Sequence, residues 1–325
     1  MSERDLIRFL SRVFATKGTT RVATLGVGDD AAVLRGVRGR PIWTVDVAVE
    51  GVHFDRRYLS LFDIGARSFH AAVSDLAAMG ARPLAALSGL VVPSALGGSA
   101  VREIARGQAE AARDLRCPVV GGNLSRGGEL SVTTSALGVA DRPLTRAGAR
   151  VGDEVWLVGD VGLAAAGLRL LSAPHGRKGL APSARKAVDK CVAAFRRPRA
   201  LVRAGMRLVG RAHAVIDVSD GLAGDAGHLA EASGVRLVLE EAALRHILGP
   251  ELRQASELLG EDALDLALEG GEDYALVATG PARSRLRGLR RIGRVEKGRG
   301  VVVEGPSGSL RRAGHGFDHF SGRRR

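Results

Sequence analysis

Only two of the 325 residues are cysteine, Cys117 and Cys191, and their spacing matches neither a zinc-binding set nor a disulfide framework. This excludes a disulfide-stapled scaffold and suits a reducing compartment. Aromatic residues make up 4% of the chain, too few to supply the stacking platforms of a single-strand nucleic-acid binder. No apolar stretch reaches the ~18 residues that a membrane span requires. The opening MSERDLIRFL has early acids and lacks the apolar core of a signal peptide. The expectation is a cytoplasmic protein that does not enter a membrane. Lysine is scarce: five of the 48 basic residues, so the net charge of +13 is almost all arginine. Guanidinium groups suit phosphate and carboxylate. The arginines are scattered, however, with their densest run at Arg323-Arg324-Arg325. A general compositional drift toward arginine accounts for most of them, and nucleic acid is disfavoured as a partner.

At 45% hydrophobic and 26% charged, the composition is that of a globular protein long enough for two domains. Residues 3–14 pattern as an amphipathic helix with Ser2 as a cap, 41–49 as a buried strand, and 61–79 as a helix. A strand at 84–92 and a helix over 99–115 follow. Cys117–Val120 reads as a strand that ends in a glycine-rich loop, Gly121-Gly122-Asn123-Leu124-Ser125-Arg126-Gly127-Gly128. Residues 129–139 alternate as a half-buried strand. The polar, turn-forming stretch Arg142–Asp153 places a domain boundary near 148, giving domains 1–148 and 149–325. Beyond it come a strand at 154–159, helices at 163–171, 183–195 and 199–208, and a strand ending at Asp217 with a helix beginning near Ser219.

Acids recur in glycine-rich or apolar settings. Gly26-Val27-Gly28-Asp29-Asp30 precedes an apolar run, and Asp46 interrupts the buried strand 41–49. Asp75 lies on the small-residue stripe of helix 61–79, with Ile64, Ser68, Ala72 and Met79. Asp217 and Asp220 flank Ser219 at a strand-to-helix junction, and Gly270-Gly271-Glu272-Asp273 precedes another strand. Each alone reads equally as a turn or a cap. Together they are hard to dismiss. If they converge, one pair of unit charges 4 Å apart costs about 4 kcal/mol at an effective dielectric of 20. Divalent cations would relieve that cost, and an all-oxygen donor set favours Mg²⁺ over Zn²⁺. Mg²⁺ on a few carboxylates usually also binds substrate phosphates, which points to phosphoryl transfer from ATP. No G-x-x-x-x-G-K-[ST] loop and no protein-kinase motif set is present.

The runs GDDAAVL, VDVAVEGVHF, SDLAAMGARP, GGNLSRG, LTRAGARVGD, DVSDG, GGEDYAL and GFDHF, in this order between residues 26 and 320, resemble the thiamine-monophosphate kinase family. Its wider superfamily includes aminoimidazole ribonucleotide synthetase, the hydrogenase-maturation dehydratase and selenophosphate synthetase. The resemblance implies a two-domain α/β protein with the aminoimidazole ribonucleotide synthetase-like fold. The N-terminal sheet would pair across a homodimer, and a mixed sheet flanked by helices would form the C-terminal domain. It implies Mg²⁺-dependent, ATP-driven phosphorylation of thiamine monophosphate to thiamine diphosphate, with K⁺ left open as a further cation. Position by position, it makes Asp30, Asp46, Asp75, Asp217 and Asp220 metal ligands, with Asp30, Asp75 and Asp220 central to catalysis. Gly122, Asn123, Arg146 and Ser219 would surround ATP. His53, Glu272 and Phe317 would line the thiamine-phosphate site.

Two departures bear on the metals. Asn123 stands where the family often has a metal-binding Asp, so it offers a carbonyl oxygen without charge. Val45 stands where a Thr commonly precedes the Asp aligned with Asp46; Thr44, on the other strand face from position 45, is not an obvious substitute. The alternatives are a sister ATP-dependent enzyme with another acceptor and a non-enzymatic nucleic-acid-binding protein. Neither cysteine lies before residue 117 and the chain ends in Ser321-Gly322-Arg323-Arg324-Arg325, which disfavours the selenophosphate and hydrogenase-maturation branches.

Overall fold

The computed structural model describes residues 3–15, 17–25, 33–173, 180–282, 284 and 288–312. The chain divides into two compact units, Met1–Pro143 and Leu144–Arg325.

The first unit opens with helices α1 (Glu3–Phe14) and α2 (Lys17–Val22) and a strand pair, β1 (Ala23–Leu25) and β2 (Val33–Leu34). Strand β3 (Arg40–Val49), helix α3 (Leu61–Ala78), strand β4 (Arg82–Val92), helix α4 (Gly97–Leu115), and strands β5 (Val119–Arg126) and β6 (Ser131–Ala140) follow. The last four strands make a mixed sheet in the order β3-β6-β4-β5. β4 and β5 are its parallel pair, as their connection through α4 requires.

α3 starts where Ser60 accepts the Asp63 amide, 3.1 Å, and donates back to the Asp63 carboxylate, 2.7 Å. It is buried on nearly every side because it also packs on α4 at glycine contacts. A Cβ on Gly65 would sit 2.1 Å from the Ile104 carbonyl oxygen, and one on Gly107 2.0 Å from that of Phe62. Glycine here serves backbone approach, even though alanine is worth about 1 kcal/mol more in a helix interior.

One element differs from expectation. The segment containing Gly121-Gly122-Asn123 is not a loop: it is strand β5, paired through Arg126 with β4. The glycines admit close approach, since a Cβ on Gly122 would lie 1.9 Å from the Ser88 carbonyl oxygen. Glycine pairs suggest a turn in isolation; a neighbouring strand decided otherwise.

The second unit contains β7 (Glu154–Val158), α5 (Leu163–Ser172), α6 (Pro182–Arg196), α7 (Val202–Leu208), β8 (Ala214–Asp217) and α8 (Leu222–Ser233). After these come β9 (Arg236–Glu240), α9 (Glu241–Ile247), α10 (Pro250–Leu259), α11 (Ala263–Glu269), β10 (Leu276–Gly280), β11 (Arg290–Glu296), β12 (Gly300–Glu304) and β13 (Leu310–Arg312). Its seven strands form one sheet, β13-β12-β9-β11-β7-β10-β8, antiparallel except where β12 meets β9. The helices bury Leu222, Leu229, Leu244, Leu252 and Leu264 in one core with Val155, Leu157, Ile216 and Leu237 of the sheet. A mixed sheet flanked by helices is what the sequence led us to expect. None of the described helices is long and apolar enough to cross a membrane.

Candidate active site

In the first unit the candidate carboxylates sit on the helix-facing side of the sheet. β3 alternates: Ile42, Thr44, Asp46 and Ala48 are half-buried, whereas Trp43, Val45 and Val47 are 74%, 61% and 41% exposed. Thr44 therefore shares the face of Asp46, and its hydroxyl donates to the carboxylate of Asp75 on α3. This bears on the sequence reading, in which Thr44 was not an obvious substitute for a hydroxyl at position 45. Thr44 brings a hydroxyl to the candidate carboxylates by a different route, through Asp75. The strand register places Asp46, Thr134, Ser88 and Gly122 in one cross-strand row. Thr134 is fully buried, and its hydroxyl has no hydrogen-bond partner. Asn123 belongs to the next row, with Val47, Thr133 and Gly89, on the opposite face. His53 follows β3, its Nδ1 accepting the Val49 amide at 3.1 Å. That bond fixes the ring; a neutral imidazole then carries its proton on Nε2.

In the second unit two sequence runs interlock. Asp217 ends β8 and is 6% exposed. The chain then turns through Val218, Ser219 and Asp220, and α8 begins only at Leu222 after Gly221. The helix thus starts three residues later than expected, and Ser219 is not its cap. Gly221 adopts φ 114°, and a Cβ there would meet the Glu269 backbone at 3.0 Å. The amides of Ser219 and Asp220 both donate to one oxygen of Asp225, 2.9 Å each. On the other side, Glu272 donates its amide to the Ser219 carbonyl, 2.8 Å, and Tyr274 donates to that of Val218, 2.9 Å. Glu272 and Tyr274 hold left-handed backbone angles, φ 72° and 51°, which are costly for residues with a Cβ. Asp273 accepts the amides of Gly162, 2.6 Å, and Ala164, 3.0 Å, at the start of α5. Arg146 is exposed, and its carbonyl is tied to α8 by the Ser233 hydroxyl, 3.0 Å.

So Asp217, Ser219, Asp220 and Glu272 come together in one unit, and Asp46 with Asp75 in the other. Asp30 and Phe317 lie outside the described residues, as do Asp29 and Ser2. Asp225 escaped the sequence reading, and Asp273, counted there among the glycine-flanked acids, was assigned no role. In the sequence Asp225 is an ordinary acid in the first turn of α8, its fourth residue. Its carboxyl is pushed up to about 7, first by burial and further by the charges of Asp220 and Asp217. Burial also pushes the thiols of Cys117 and Cys191 up to about 12, which leaves them unreactive.

Among the described residues no group of three or more His, Cys, Asp or Glu side chains is placed to hold a metal. The donors nevertheless suit Mg²⁺ in kind: they are carboxylates and hydroxyls throughout. The buried Thr134 hydroxyl without a partner, beside Asp46, is a further oxygen in that setting.

Comparison with known proteins places these features. Residues 28–140 match the family described as AIR synthase related protein, N-terminal domain, and residues 150–305 match its C-terminal domain. The thiamine-monophosphate kinase of Aquifex aeolicus is 35% identical over 281 residues, spanning 86% of this chain and 89% of that protein. The chain belongs to the thiamine-monophosphate kinase family. Among solved structures of this family, the thiamine-monophosphate kinase of Stenotrophomonas maltophilia K279a superposes with a TM-score of 0.78 at 34% identity, covering 91% of this chain and 94% of that one. A structure described as AaThiL complexed with AMPPCP and TMP superposes with a TM-score of 0.79 at 33% identity, covering 98% and 97%.

The raised carboxyl of Asp225 has a pH consequence. The folded protein keeps this proton from about pH 4 to about pH 7, while an unfolded chain, near its ordinary 3.8, has released it. Stability from this group is therefore lost as pH rises through that window. We expect the urea midpoint of metal-free protein to fall between about pH 4 and about pH 7, and that of Asp225→Asn, which keeps an oxygen for both amides, to fall less. Equal falls in the midpoints of the two proteins across that window would contradict this.

Proposed function

We propose that this chain transfers the terminal phosphoryl group of ATP to thiamine monophosphate, yielding thiamine diphosphate. The observation that carries the reading is the family relative that holds AMPPCP and TMP and is alike over 98% of this chain. The first unit, with Asp46 and Asp75, would serve ATP and metal binding and dimerisation; the second would supply Asp217, Ser219 and Asp220. The two compact units divide at Pro143 and Leu144; we place the functional domain boundary near residue 148, and the protein in the cytoplasm.

The acceptor is itself a phosphate. Its second pKa is about 6, so at neutral pH it is largely the dianion and needs no general base. The lack of an evident Ser/His or Cys/His pair accords with this. What the reaction requires is positioning of two polyanions. Asp30, Asp46, Asp75, Asp217 and Asp220 would hold Mg²⁺, which when bound offsets phosphate charge. Asn123 would add a neutral oxygen at most, and its sheet row differs from that of Asp46. Thr44 fixes the carboxylate of Asp75 by its hydrogen bond. Gly122, Arg146 and Ser219 would lie around ATP, the Arg146 guanidinium facing phosphate. The Ser219 and Asp220 amides already serve Asp225, so this turn contributes a rigid shape more than open N–H donors. His53, Glu272 and Phe317 would line the acceptor site, with the Nδ1 bond to Val49 fixing the His53 ring. Transfer would be direct, without a phosphoenzyme, and K⁺ is a further candidate cation.

The outer face of the first sheet supports a homodimer. Trp43, Val45 and Val47 on β3 and Leu87 on β4, with β6 between the two strands, are large, apolar and 39–74% exposed. A contiguous patch of this kind marks an interaction surface, and a second copy would cover it. Val45→Glu should convert a dimer to a monomer in sedimentation equilibrium; a wild-type monomer would overturn the dimer.

Pure protein with Mg-ATP and thiamine monophosphate should form thiamine diphosphate, resolved by chromatography. No product across varied Mg²⁺ and K⁺ would overturn the activity. Asp75→Asn should cut turnover on the order of a hundredfold while folding stability shifts by about 1 kcal/mol or less. A variant that unfolds would return Asp75 to a structural role.

A further inference from the structure

The first unit contains a cavity of about 800 Å³ to which none of the candidate site residues contributes. Six arginines line it: Arg21 of α2, Arg35 and Arg38 after β2, Arg82 at the start of β4, and Arg113 and Arg116 at the end of α4. No aspartate or glutamate lines it among the described residues. Its other walls are mostly apolar, including the buried side chains of Phe14 and Leu84.

Charge of one sign around a concavity is unlike the way arginine is used elsewhere in this chain. On the second sheet Arg291 grips Glu240 at 2.6 and 2.7 Å, and Arg294 grips Glu304 at 2.8 and 2.9 Å. Arg245 is likewise bidentate on Asp262. Among the described residues none of the six cavity arginines forms an ion pair with a carboxylate. The Arg35 Nε donates to the Thr20 carbonyl at 3.3 Å. Helix ends account for part of the set: Arg113 lies in the last turn of α4, where a cation offsets the helix dipole. That account does not extend to Arg38 and Arg82, which come from non-helical segments and converge on the same space.

We propose that this cavity binds a small phosphorylated molecule with an apolar or aromatic body, of nucleoside-diphosphate size. The volume lies in the range of small-molecule sites. Guanidinium forks match phosphate oxygens bidentately, and the apolar wall takes the rest of the ligand. A nucleic-acid backbone would instead call for a basic track with aromatic platforms; here six exposed arginines rim an apolar concavity. The inference does not depend on the activity proposed above.

The test uses the full chain with ADP as the probe, in EDTA, read by calorimetry and by hydrogen exchange. ADP should bind and protect residues 18–22, 34–38 and 82–84. Arg82→Glu/Arg113→Glu should weaken that binding by about tenfold or more and abolish the protection, while turnover with ATP and thiamine monophosphate stays within about twofold. Arg38→Gln/Arg82→Gln, which introduces no new charge, should weaken binding in the same direction and covers failure of the first variant to fold. Binding that both folded variants retain, or protection confined to other segments, overturns the proposal. So does protection of these segments by a 20-nucleotide RNA when ADP gives none.

Discussion

Buried carboxylates held close together are the constraint on which the site depends. In the second unit Asp217 and Asp225 are buried and Asp220 is half-buried beside them; burial of Asp225, with the charges of Asp220 and Asp217, pushes its carboxyl up to about 7. The surrounding backbone is shaped to hold them there. Two amides converge on Asp225, Gly221 passes against Glu269, and the Glu272–Tyr274 segment takes left-handed angles to dock on Val218 and Ser219. A structure selected for stability alone would replace such acids with apolar residues. Their presence, beside the left-handed Glu272 and Tyr274, accords with the cation-binding role proposed for them.

The same logic runs through the first unit in milder form. A strand that alternates strictly gives Thr44 and Asp46 to the inner face and Trp43, Val45 and Val47 to the outer one. One face carries the candidate site residues and the other is apolar and exposed. A single strand period thus generates both the candidate site and the candidate subunit contact, which is why substitutions along β3 should separate cleanly by parity.

Much of this was legible in the sequence. The helix 61–79, the strands at 41–49 and 84–92, and the inward place of Asp75 follow from apolar spacing, and the order of motifs identified the family before any coordinates. What stayed hidden depended on neighbours. Gly121-Gly122-Asn123 reads as a loop until β4 is seen lying against it. The pairing of Thr44 with Asp75 joins residues 31 positions apart. Asp225 looks like an ordinary helical acid until Ser219 and Asp220 fold back onto it, and the arginine cavity draws on four separated segments of a chain whose arginines look randomly strewn. Local pattern specifies elements; convergence of charge is a tertiary fact.

The proposed role of these carboxylates is to hold divalent cations. Its most direct measure is the thermal midpoint of the purified chain against Mg²⁺ concentration, beside Asp217→Asn. Ligand linkage predicts that Mg²⁺ raises the wild-type midpoint progressively. The variant, with one buried charge fewer, should be at least as stable without metal and respond less. A wild-type midpoint indifferent to Mg²⁺, with a variant that is destabilised in its absence, would contradict the account.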